Sequence, residues 1–349
     1  MISKKKDEEF SAWVHESIYQ ASEGIVGAAY HKGQKVLEFD VGKTYPYYEI
    51  ASLTKIIFTT TAFIQAVEKN KIKLDDPIGN WLEWYSKPDT NVASFLTHTS
   101  GLAPWKPYYT ELMKREEGHD RVSLLQTLLT REPVQWRERA QYSDLGFMVL
   151  GFLLERIWNC SLEDIWSSLD LGLENTVFHV QNLPRTDRKN YAPTENCTWR
   201  SMIIQGEVHD DNAWALGGVA AHSGLFSNIS DLSKWFLALR AGLLGKTSKL
   251  GSSEIVQEFT KRSFPPSIGD WATSFMLPTE GRASCGKYFS PDSIGHTGFT
   301  GTSAWLERKK DLLIVLLANR TYPDRNNTKF IHIRPLIHDK IVEILDLQS

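Results

Sequence analysis

The stretch "EIASLTKIIFTTTAF", residues 49–63, places Ser52 three residues ahead of Lys55 and then runs into an apolar pattern of helical period. Positions i and i+3 share one face of a helix, so Lys55 can reach the Ser52 hydroxyl. Serine is a weak nucleophile at its own pKa, and a neighbouring lysine can take its proton if burial or nearby cations lower the lysine pKa. A serine at a helix N-terminus also keeps its backbone N–H free to polarise a carbonyl. Taken alone, the same residues read more simply as a polar helix start, because S-x-x-K arises by chance in many proteins. The Thr and Ile content of "TKIIFTTTAFIQAVEKN" lowers helix propensity, so burial has to hold this helix.

Working outward, "GIVGAAYHKGQKVLEFDVG" reads as two strands joined at "HKGQK". Ahead of it, Phe10, Trp13, Val14, Ile18 and Tyr19 recur at helical spacing, and Gly24 follows as a stop. At the far end, "TGTSAWLERKKDLLIVLLANR" reads as strand, charged turn, strand, and "RPLIHDKIVEILDLQ" as an amphipathic helix. From about 76 to 250 the pattern is mostly helical; "SDLGFMVLGFLLERIW" is apolar nearly all round, a buried helix with Ser143 or Asp144 as N-cap. The expected fold is α/β of the α+β kind: an antiparallel sheet from both chain termini, flanked by helices, with an inserted mainly helical domain. The sheet domain takes 1–75 plus 251–349, the helical domain 76–250, and the cleft between them is the default site.

The chain has 349 residues, enough for two lobes. A net charge of −3 argues against nucleic acid, and no stretch such as "DLLIVLLANR" is long enough to span a bilayer. After "MISKKKDEEF" come acidic and mixed residues where a signal peptide needs an apolar run, so a cytoplasmic location is expected. Cys160, Cys197 and Cys285 are widely spaced, with no disulfide framework and no zinc-type spacing. No metal or other cofactor is expected.

Two further motifs follow. In "QYSDLGF", Tyr142 stands at a loop-to-helix junction, where a tyrosine can act as acid or base or be a half-buried aromatic. In "IGHTGFTGTSAW", glycines bracket a strand entry, and glycine lets backbone approach a ligand closely. The order S-x-x-K, then Y-x-N-like, then K/H-T-G resembles the penicillin-recognising serine hydrolases, on the side of class C β-lactamases, D-Ala-D-Ala carboxypeptidases and related esterases. "FLTHTSGL" at 95–102 resembles the family's L-L-T-H-T-S-G-L, and the similarity runs from about 25 to 340.

The resemblance implies that Ser52 is the acylated nucleophile, Lys55 the lysine that helps deprotonate it, and Tyr142 the tyrosine that shares base work and protonates the leaving group. It implies backbone N–H groups of Ser52 and Phe299 as an oxyanion hole. His296, Thr297 and Gly298 then line the substrate cleft. Two departures bear on substrate. Asp144 stands where the family has Asn, and an ionised carboxylate accepts hydrogen bonds but donates none. His296 replaces lysine and need not be charged at neutral pH. Asp144 is grouped with the substrate-facing residues, and a true β-lactamase becomes the less favoured reading.

"GEVHDDNAWALGGVAAHSGLF", residues 206–226, lies outside the three motifs. It places His209, Asp210 and Asn212 either on the cleft, touching substrate, or in a rigid hydrogen-bonded loop that buttresses the site. His98, in a Thr/Ser/Gly turn, reads as structural. The expected protein is a serine hydrolase acting on a small ester or a peptidoglycan-derived D-amino-acid peptide through an acyl-enzyme on Ser52. The alternative is a penicillin-binding or sensor module that acylates without efficient turnover.

Overall fold

The computed structural model describes residues 4–114, 120–178 and 185–348. Five strands form one sheet: β1 (Gly24–His31), β2 (Gln34–Gly42), β3 (Ile294–Thr297), β4 (Ser303–Glu307) and β5 (Leu312–Ala318). Their order is β2-β1-β5-β4-β3, antiparallel throughout, so both ends of the chain meet where β1 pairs with β5. The β1–β2 turn is built on Lys32 and Gly33, both at positive φ (52° and 79°), which matches the twist of a tight hairpin.

The central strand β5 is buried on both faces. Its alternation sends Leu313, Val315 and Leu317 to one core and Leu312, Ile314, Leu316 and Ala318 to the other. The second core is closed by the terminal helices α1 (Lys4–Ser17) and α5 (Lys329–Ile344), with Phe10 and Val14 facing Phe330, Ile337 and Ile341. The first core is shared with α2 (Thr61–Glu68), α3 (Asp144–Trp158) and α4 (Ile229–Leu243). The mixed architecture expected from the sequence is what the molecule has.

Three local features differ from the sequence reading. The mostly helical middle contains a hairpin, Pro193–Cys197 with Met202–Gln205, and its helix α4 lies against β5 and β1 of the sheet. Helix α5 begins earlier than its amphipathic pattern suggested and runs through Pro335. The proline sacrifices one backbone bond, which burial of Phe330, Ile337 and Ile341 on either side offsets. The helix that follows Ser52 opens as a wide π turn, Lys55–Thr60, whose residues are all buried. Thr60 Oγ1 donates to Lys55 O (2.8 Å) and Thr61 Oγ1 to Ile56 O (3.3 Å), so the threonines that weaken an ordinary helix stabilise this one.

Candidate active site

Between residues 50 and 64, Ser52 alone is partly exposed; the other residues are buried. Ala51, just before it, is held at φ 46°, a left-handed conformation uncommon for a residue with a Cβ. The turn closes with Leu53 N–H on Ile50 O and Thr54 N–H on Ala51 O. Ser52 N–H has no hydrogen-bond partner among the described residues.

The Ser52 Oγ receives two donors, Tyr142 OH at 2.7 Å and Lys55 Nζ at 3.0 Å. Lys55 is fully buried, and its ammonium also donates to His222 O (2.9 Å) and pairs with Asp144 Oδ1 (2.7 Å). Burial alone pushes a lysine toward neutrality, but Asp144 and then Tyr142 outweigh it and hold Lys55 above the usual lysine range. Burial also pushes the Tyr142 phenol up to about 12, against the opposing pull of Lys55. At neutral pH the resting site therefore holds an ammonium and a neutral phenol.

Helix α3 sets Tyr142 and Asp144 in place. Ser143 is its N-cap, its Oγ accepting from Gly146 N (3.1 Å) and donating to Ala103 O (2.7 Å). Ser143 N–H donates to His98 Nδ1 (3.2 Å), so His98 is structural, as its turn suggested. The Tyr142 ring is stacked on Trp271 (5.8 Å between centroids) and tilted on His98 (4.7 Å). Nothing in the sequence singled out Trp271, which comes from a loop more than a hundred residues away.

The third motif arrives on β3. His296 is 1% exposed, faces Tyr142 (6.1 Å), and hydrogen-bonds Thr297 O through Nδ1 (2.8 Å). Burial, then Lys55, push it down to about 3, so it is a neutral imidazole. Thr297 is half-buried beside it. Gly298 touches the Ser52 segment: a Cβ there would meet Ile50 O at 2.5 Å and Thr302 Oγ1 at 2.1 Å. Thr300 Oγ1 donates to Glu49 O (2.7 Å) and Thr302 Oγ1 to Ile50 O (3.2 Å), clipping the Phe299 turn onto the strand before Ser52. Phe299 N–H, like that of Ser52, has no partner among the described residues.

The 206–226 segment supports the site from behind. His209 pairs with Glu195 (3.2 Å) and stacks on the Phe299 ring (5.6 Å between centroids), and Asn212 is fully buried, accepting from Tyr109 N and donating to Lys106 O at 2.8 Å each. Asn212 thereby braces residues 106–109, and His209 lies against the Phe299 turn. Asp210 keeps one-fifth of its side chain exposed; it caps the short helix Asp211–Ala215 and pairs with His222 (2.9 Å), whose carbonyl receives Lys55. Glu49 is buried too, accepting from His209 N (2.9 Å), and burial raises its carboxyl to about 8. No group of three or more His, Cys, Asp or Glu among the described residues is placed to hold a metal ion. No single described helix is long and apolar enough to cross a membrane.

A helix-flanked antiparallel sheet with a serine, a lysine and a tyrosine joined at its edge defines the class of β-lactamase-like serine hydrolases. The chain belongs to the Beta-lactamase family, whose model matches residues 16–335. It is 27% identical over 313 residues to a Salmonella gallinarum protein provisionally named a D-alanyl-D-alanine carboxypeptidase, covering 81% of this chain and 71% of that one. Among solved structures it resembles EstCE1, described as a hydrolase with promiscuous acyltransferase activity (TM-score 0.73, 16% identity, 96% of this chain and 99% of that one). It also resembles a class C β-lactamase from Rhodobacter sphaeroides (TM-score 0.70, 19% identity, 97% and 99% covered). At these identities the structures speak for the fold.

Proposed function

We propose that the protein hydrolyses small esters through an acyl-enzyme on Ser52. The observation that carries this is the double donation from Tyr142 and Lys55 onto one partly exposed serine oxygen. As Ser52 Oγ bonds to the carbonyl carbon, its proton passes to Lys55 while Lys55 passes one to Asp144. The carbonyl electrons move onto the oxygen facing the N–H groups of Ser52 and Phe299. Expulsion of the alcohol takes the proton of Tyr142, which regains one through Lys55, and water then releases the acid by the same steps reversed.

Ester is favoured over a peptide with a free carboxylate by two residues. His296 is neutral and offers that carboxylate no charge, and Asp144 cannot donate to an amide carbonyl. Thr297, Gly298 and Asp210 would line the acyl pocket. The relatives' name supports a second substrate class, D-amino-acid peptides.

The test is hydrolysis of p-nitrophenyl butyrate by wild type and Ser52→Ala, with intact-protein mass measured during turnover. The expected result is a loss of at least about 10³-fold in the variant and a transient butyryl adduct in wild type. Equal rates would overturn the assignment. A stable adduct without turnover would favour the sensor module.

A further inference from the structure

We propose that the layer between helix α5 and the sheet, on the face away from Ser52, binds a small monovalent anion of halide size. Arg334 and His338 are its central residues. They stand one turn apart on α5 and so share a face. Arg334 is 6% exposed and His338 fully buried. Neither side chain makes a hydrogen bond or ion pair with any described residue; Arg334 Nε and both ring nitrogens of His338 are buried without partners. A guanidinium taken out of water is costly unless a counter-charge meets it.

The surroundings supply donors and no free negative charge. The loop carrying Ser284, Cys285 and Phe289 lies directly on α5: a Cβ on Gly286 would meet Asp339 Oδ1 at 2.2 Å and Pro335 O at 2.7 Å. Phe289 meets the His338 ring edge-on at 5.5 Å. Ser284 Oγ is buried without a partner, as is Nε1 of Trp305, which shares this core with Cys285, Phe289 and Ile337. Guanidinium, indole N–H, hydroxyl and one imidazole N–H have donation in common.

The neighbouring acids are already engaged. Asp339 accepts from Lys287 N (2.7 Å), and Glu307 accepts from Ser290 N (3.3 Å) and Lys310 N. Cys285, near enough to act on Arg334, stays a neutral thiol because burial pushes it up to about 12. The other cation near enough to act on Arg334 is Arg320, itself 4% exposed and without an acidic partner among the described residues. The local balance is positive inside a core walled by Phe289, Phe330 and Ile337. Such a place suits a compact, weakly hydrated monoanion, and a doubly charged oxyanion poorly.

The first test is a crystal of the intact protein soaked in sodium bromide, with data collected at the bromine edge. An anomalous peak at hydrogen-bond distance from Arg334 is expected; ordered water there instead would overturn the proposal. In solution, chloride in place of gluconate at equal ionic strength should raise Tm by about 2 °C or more. Arg334→Met should remove that chloride dependence whatever its own basal Tm. A chloride dependence that survives in Arg334→Met would also overturn the assignment.

Discussion

Asp144 Oδ1 lies 2.7 Å from Lys55 Nζ, on the ammonium that also touches Ser52. The carboxylate is what holds Lys55 protonated against its burial, and it is the nearest acceptor for a proton leaving Ser52. Asp144→Asn removes both effects. With the carboxylate gone, Lys55 must itself lose its proton before it can act as base, so the ascending limb of the kcat/KM profile should move toward higher pH. The plateau should fall by about 10²-fold, because the proton relay has lost its end. An unmoved ascending limb in stopped-flow or steady-state profiles would mean that Asp144 does not control Lys55.

Gly298 is the point where the third motif presses on the segment before Ser52. In Gly298→Ala, the added methyl meets the Ile50 carbonyl, which is backbone and cannot swing away. The Phe299 turn must shift, carrying its N–H with it. We expect kcat to fall by about 10²-fold with little change in Tm, checked by ester hydrolysis beside thermal unfolding. Wild-type kcat in this variant would remove Phe299 N–H from the oxyanion assignment.

Glu49 couples the site to pH through stability. Its carboxyl is raised from 4.5 to about 8 because it is buried. Below the ordinary carboxylate range, folded and unfolded chains both carry the proton and the stability is fully present. Between roughly 4.5 and 8 only the folded chain keeps it, so stability falls as pH rises through that window. Glu49→Gln should lose less stability than wild type between pH 5 and pH 8, by on the order of 2–4 kcal/mol. Urea unfolding of both proteins at the two pH values checks this; parallel losses would place the proton elsewhere.

Asn212 separates bracing from substrate contact. Asn212→Ala empties a fully buried position and leaves Tyr109 N–H and Lys106 C=O, both in part-buried surroundings, without their partner. The expected cost is about 2–4 kcal/mol of stability, read as a lower urea midpoint, with KM little changed. A raised KM at unchanged stability would return Asn212 to the substrate.

The sequence by itself determined the local elements and the chemistry-bearing residues. Alternation in "QKVLEFDVG", the β1–β2 turn at Lys32-Gly33 and the uninterrupted apolar run of β5 each specify a strand from short-range pattern. Ser52, Lys55 and Tyr142 were legible because their order and flanking residues follow a family pattern, and Ser52–Lys55 is a local relationship within one helical turn. Other relationships are long-range. That Asp144 would pair with Lys55 and keep it charged depends on α3 meeting the turn that follows Ser52. That His296 is uncharged depends on its burial beside Lys55, and that Asn212 braces residues 106–109 depends on how two loops pack. Trp271 behind Tyr142, and Arg334 with His338 under the sheet, had no sequence signal for the same reason. Pattern in a chain reports which face of an element is apolar. Which polar groups meet on the other side of a contact, and therefore which of them keep their charge, is decided only when the elements have packed.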